Sequence, residues 1–138
     1  MLDNLNSIFF GDCVEFMKTL PNNCIDCIVT DPPYGVDFKN KIFDDSKETV
    51  ESLLDNWLSE FNRLLKDGSH LYLFIPTMEI DMWVTAVRKY FKFNNILALN
   101  CYSIDRYVKN NYGFDLQMVL YCSKGKAKRL NAVNYGIS

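Results

Sequence analysis

Histidine is nearly absent: His70 is the only one among 138 residues. Cys24 and Cys27 have the spacing of half a zinc site, but no second such pair exists to complete one, so no metal centre is expected. The five cysteines, Cys13, Cys24, Cys27, Cys101 and Cys122, are odd in number and scattered, which excludes a disulfide framework and points to reduced thiols buried in strands. No apolar run approaches the roughly 20 residues that cross a bilayer. The opening MLDNLNS lacks the basic and apolar regions of a secretion signal, so a cytoplasmic protein is expected. Charge of one sign is lacking too: the net charge of −2 excludes a protein that holds nucleic acid by bulk electrostatics alone. The six glycines are spread along the chain, and no two are spaced to wrap a ligand.

What is present suffices for one packed domain over residues 1–138, since 49% of the chain is apolar. NSIFFGD reads as a short strand closed by Gly11 and Asp12. From Cys13 to Leu20, apolar residues recur at helical spacing until Pro21 stops them, and CIDCIVT follows as a mostly buried strand. The clearest helix runs from about Ser46 to Lys66, with Val50, Leu54, Trp57, Leu58 and Phe61 along one face. Asp45 with Glu48 forms a capping box for it, and Gly68 takes its C-terminal turn. HLYLFI is another buried strand, Ile80, Trp83, Val84 and Val87 mark a further helix, and FNNILALNCYS and DLQMVLYCS close as two strands. Alternation of this kind predicts an α/β fold: a mostly parallel sheet with helices on both faces and an antiparallel terminal strand.

One segment stands out chemically. In sheets of this class ligands bind beyond the carboxyl ends of the strands, and VTDPPYG leaves CIDCIVT at that place. Two prolines pre-set the backbone after Asp31 and remove two N–H donors, so Asp31 and the neighbouring carbonyls present acceptors only. Such a surface suits a group that donates two hydrogens from one atom, such as an exocyclic amino group, and Tyr34 adds a flat face for a planar ring. A proline-rich turn is the plain alternative, but a chance DPPY in a chain of this length is expected about once in a thousand such chains. Asp12 after the first strand is either a helix cap or a ligand group. Lys124, Lys126, Lys128 and Arg129 lie within six residues, either as a phosphate-contacting cluster or as a solvated tail.

DPPY, together with FFGDCVEFMKTLPNNCIDCIVT before it, resembles the start of an amino-group DNA methyltransferase of the permuted type, whose catalytic motif lies near the N-terminus. GSHLYLFI is similar to that family's next core strand, and NNYGFDLQMVLYCSKGK to its late hairpin. The resemblance implies a partial Rossmann-like methyltransferase fold using S-adenosylmethionine. Asp31 and the Pro32 carbonyl would hold the amino group of a flipped base, Pro33 would stiffen the turn, and Tyr34 would stack on the base. Aspartate at the first position favours adenine N6 over cytosine N4. Asp12, Cys13 and Asp31 would face the cofactor, and Lys124, Lys126, Lys128 and Arg129 would touch DNA. Two acceptors orient the nitrogen lone pair toward the methyl donor, and the carboxylate offsets the charge that develops on nitrogen.

The resemblance also implies a gap. Relatives of permuted order carry a glycine-rich FxGxG-like turn that cradles the cofactor, and this chain has none. The chain then corresponds to the catalytic half, with the strands of the cofactor half missing and with 123–138 as the start of a target-recognition region. SIFF is left without its neighbour, and an unpaired edge invites a complementary chain or self-association. The polar stretch GVDFKNKIFDDS has the length of a lid. Two functions stand side by side: a DNA amino-methyltransferase, of the kind found in restriction-modification, that is incomplete by itself, or an inactive remnant with weak nucleic-acid affinity.

Overall fold

A computed structural model describes residues 6–37, 43–100 and 116–130. The element order is α1 (Cys13–Lys18), β1 (Ile25–Thr30), α2 (Lys47–Leu64), β2 (Leu65–Ile75), α3 (Ile80–Arg88), β3 (Lys92–Asn100) and β4 (Leu116–Ser123). Four strands form one mixed sheet in the order β1-β2-β4-β3. The pair β1–β2 is parallel, with Cys27 beside His70 and Thr30 beside Leu73, whereas β4 runs antiparallel to both neighbours. The α/β class and the antiparallel terminal strand are as expected.

Strand alternation separates two faces. Leu71, Leu73 and Ile75 of β2, with Leu120 and Cys122 of β4, enter one core with the apolar stripes of α2 and α3. On the opposite face Tyr72 stacks on Tyr121 at 5.2 Å between ring centroids, and both rings stay partly exposed. Trp83 of α3 lies fully inside the core, and its indole N–H has no partner among the described residues. An orphan donor costs about 1–3 kcal/mol, so Trp83→Phe offsets lost volume by removing it. The variant is expected to lie within about 1 kcal/mol of the parent in urea unfolding, against the roughly 3–5 kcal/mol usual for truncating a buried aromatic to alanine.

Five local expectations are corrected. Residues 7–10 form no strand; Ile8 and Phe10 are fully exposed, since β1 is a sheet edge with nothing described beside it to pair with them. β1 is also less buried than its composition suggests, since it lies at the sheet edge and Val29, paired with Tyr72 on the face opposite the core, is 67% exposed. Of the described cysteines only Cys122 is buried, while Cys13 and Cys27 are exposed. Ser46, not Asp45, caps α2, its Oγ accepting the Thr49 N–H at 3.3 Å, and Gly68 lies inside β2 rather than ending the helix.

α1 is short and is held by a side chain of α2. The Arg63 guanidinium donates to the Met17 carbonyl at 2.6 Å and the Leu20 carbonyl at 2.8 Å, so it fills the open acceptors at the end of α1. Glu60 accepts from the same guanidinium at 2.7 Å, and that cation holds its carboxyl below the usual range. α1, which opens with Asp12 as its cap and Cys13 as its first residue, is thereby tied to α2.

Candidate active site

Because β1 and β2 are parallel and pair continuously from Cys27–His70 to Thr30–Leu73, their carboxyl ends lie side by side. Residues 31–34 therefore emerge next to Pro76 and Thr77. Between them is a cleft of about 350 Å³, walled by Tyr34, Val36 and the segment from Ile75 to Met78, with Leu116 and Gln117 contributed by β4. It lies within the usual range for small-molecule sites.

The turn out of the DPPY segment is pinned by Asp45. Its buried carboxylate accepts from Gly35 N at 2.8 Å and from Val36 N at 3.4 Å, and its carbonyl accepts from Asp37 N at 2.8 Å. Gly35 has φ +74° and Asp37 φ +55°, so the chain reverses sharply and places Tyr34 against the cleft. Nothing in the sequence distinguished Asp45 from a helix cap; its role arises because a residue ten positions away folds beneath the turn.

Asp31 is exposed at the strand end, and its Oδ1 accepts a hydrogen bond from the Tyr34 hydroxyl at 2.6 Å. Burial foremost, then the bond to Asp31 and its charge, push the Tyr34 phenol well above its ordinary range, while the Gln117 amide acts in the opposite direction. Tyr34 thus stays neutral and remains a donor across the physiological range.

A second hollow, of about 440 Å³, lies beyond Pro33, among Asp12, Cys13, Val14, Phe43, Leu53 and Trp57. Asp12 caps α1, its Oδ1 accepting from Val14 N at 2.8 Å and Glu15 N at 3.0 Å, while also lining this hollow. The two readings of Asp12 are compatible. The DPPY segment is therefore a partition, with Tyr34 facing one cavity and Pro33 the other.

The basic cluster lies elsewhere. β4 is antiparallel, so Lys124 emerges beside Ser69 at the amino end of β2, about 15–20 Å of strand away from Asp31. Lys124 is occupied structurally, donating to Asn23 Oδ1 at 2.7 Å and the Leu65 carbonyl at 2.9 Å. Lys126, Lys128 and Arg129 are outside the helices and strands, at positions where they do not meet the cleft. No group of three metal-ligating side chains occurs among the described residues, and no helix of the structure is long and apolar enough to cross a membrane. The middle of the lid segment, 38–42, and residues 131–138 lie outside the described residues.

Comparison with known proteins bears on the family and the fold. A family model described as DNA methylase matches residues 25–136. The type II methyltransferase M.HinfI of Haemophilus influenzae is 36% identical over 88 residues, covering 51% of this chain and 24% of that protein. The crystal structure of the M1.HpyAVI–SAM complex superimposes with a TM-score of 0.65 at 22% identity, covering 87% of this chain and 54% of its own. The cytosine-N4-specific PvuII DNA methyltransferase gives a TM-score of 0.67 at 13% identity, covering 88% and 50%. The chain thus spans about half the length of these solved structures and a smaller share of M.HinfI. From its matched span and its α/β fold, the chain belongs to the N6/N4 DNA methylase family.

Proposed function

We propose that this chain supplies the target-base half of an S-adenosylmethionine-dependent DNA amino-methyltransferase. The observation that carries the reading is the partition: a stiff acceptor segment with separate cavities on its two sides, one bounded by Tyr34 and the other by Asp12, Cys13 and Pro33. A flipped base enters the Tyr34 cleft and stacks on its ring. The Asp31 carboxylate and the Pro32 carbonyl accept the two amino hydrogens, which aims the nitrogen lone pair across the partition. Pro33 keeps that segment rigid. S-adenosylmethionine, when bound, supplies the methyl group, and Asp12 and Cys13 are the residues of this chain that would line its hollow. Asp31 offsets the positive charge that develops on nitrogen during transfer.

Adenine is the preferred target. The reading rests on aspartate at position 31, because the fold is shared with a cytosine-N4 enzyme and does not choose between bases. Lys126, Lys128 and Arg129 are assigned to DNA phosphates distant from the target base, and Lys124 is withdrawn from that role by its structural bonds. The open edge of β1, with Val29 exposed on it and Ile8 and Phe10 exposed nearby, is assigned to a complementary polypeptide that extends the sheet and completes the cofactor hollow.

Calorimetric titration of the full chain with S-adenosylmethionine tests this reading. Asp12→Asn is the control, since asparagine caps a helix about as well as aspartate and removes only the charge. Micromolar binding that weakens in the variant supports a cofactor hollow formed by this chain. The same result from a monomer overturns the need for a complementary polypeptide. No heat of binding overturns cofactor binding by the chain alone and favours the inactive remnant unless a second polypeptide restores it.

A further inference from the structure

We propose that the Tyr34 hydroxyl, apart from any stacking by its ring, is a positioning group for the reaction: it locks the Asp31 carboxylate so that one defined oxygen faces the substrate. This inference rests on the methyltransferase reading for its catalytic consequence, but the hydrogen bond itself can be tested without activity.

The geometry is local and stiff. Asp31 sits exposed at the end of β1, where an aspartate side chain ordinarily samples several rotamers. Here its Oδ1 receives the Tyr34 hydroxyl at 2.6 Å, the length of a charge-assisted O–H···O⁻ bond. Pro32 and Pro33 lie between the two residues and restrict the backbone, so little freedom is lost in closing the contact. Tyr34 is held from the far side as well, since the turn after it is pinned by Asp45 on Gly35 N. Both ends of the bond are therefore fixed by covalent stiffness and by a buried carboxylate, and not by the substrate.

The consequence concerns which acceptors remain. With Oδ1 filled by Tyr34, Oδ2 is the oxygen assigned to one amino hydrogen, and the Pro32 carbonyl takes the other. A carboxylate free to rotate would meet the amino group in several orientations, of which few direct the lone pair toward the donor. The raised phenol pKa is consistent with this role, because Tyr34 keeps its proton and stays a donor to Asp31. Stacking needs only the ring; locking needs the hydroxyl.

Tyr34→Phe separates the two roles, for it retains the ring and loses the O–H. The first measurement uses the full chain labelled with carbon-13 at the aspartate carboxyls. Tyr34→Phe is expected to move the Asp31 signal, identified by its loss in Asp31→Asn, and an unmoved signal overturns the lock. The second measurement follows methyl transfer from radiolabelled S-adenosylmethionine to unmethylated duplex DNA. The lock predicts kcat lower by about 10-fold to 100-fold, the worth of one hydrogen bond to a charged group, with KM for DNA within about twofold. An unchanged kcat, or a loss confined to KM, overturns the positioning role and leaves stacking alone. If the parent chain transfers no methyl group, activity by the chain alone is ruled out, as for a half that needs a complementary polypeptide, and the carbon-13 comparison still decides the Tyr34–Asp31 bond.

Discussion

Asp31→Ala is expected to lower methyl transfer about 100-fold to 1,000-fold while leaving the unfolding free energy of the chain in urea within about 0.5 kcal/mol of the parent. The two halves of the prediction have separate causes. Asp31 is exposed, and its one described partner is the Tyr34 hydroxyl, which water can satisfy once the carboxylate is gone. Its removal therefore costs the fold little. In the proposed reaction, however, the carboxylate would be the charged acceptor nearest the amino nitrogen, and a preorganised charge matters most where charge develops. Asp31→Asn is expected to fall between the parent and alanine, since the amide retains one acceptor oxygen but turns a donor toward the substrate. The assay is incorporation of radiolabelled methyl into duplex DNA, run beside urea unfolding. Equal activity in the parent and Asp31→Ala would remove Asp31 from the chemistry.

Gly35→Ala is expected to have the opposite signature, a loss of about 2–4 kcal/mol in stability. The residue has φ +74°, where an L side chain costs roughly 1–2 kcal/mol. A Cβ there would also stand 3.2 Å from the Lys47 Cα and 3.3 Å from the Val50 Cβ. Both neighbours belong to the first turn of α2, and Val50 is completely buried, so neither yields easily. Overpacking of this kind adds about 1–3 kcal/mol. Urea unfolding of the variant measures the sum. Stability within about 0.5 kcal/mol of the parent would show that the turn relaxes, and that the Asp45 clamp does not hold Tyr34 against the cleft.

These two substitutions are four residues apart in sequence and differ because they act on different properties of the same turn. Asp31 supplies charge at a surface. Gly35 supplies the backbone freedom that lets the chain pass beneath α2 and hold that surface in place. The preference for glycine here follows from the close approach of α2, a contact made only in the folded chain.

Much of the fold could be read in advance because its causes are periodic or local. The α2 stripe from Val50 to Phe61, the apolar β2 run and the proline stop after α1 are each set by residues within a few positions of one another. The stiffness of the segment from Asp31 to Tyr34 was legible for the same reason, since the restricted backbone and the two missing N–H donors are covalent properties of Pro32 and Pro33. The expected strand at 7–10 does not form because a short apolar run makes a strand only when a neighbour accepts its hydrogen bonds, and pairing is not written in the pattern. β1 reads as buried on the same grounds, although its place at the sheet edge is set by the order of strands.

Distance along the chain marks the limit. Composition and local pattern established an α/β chain with an acceptor-only segment after a strand, because these depend on backbone propensity and side-chain chemistry over short spans. Tertiary structure decided that Asp45 clamps the turn, that Arg63 ties α1 to α2, that Lys124 is spent on the amino end of β2, and that the DPPY segment divides two cavities. Each joins residues ten or more positions apart, and loop closure makes such contacts favourable only when the whole core forms together.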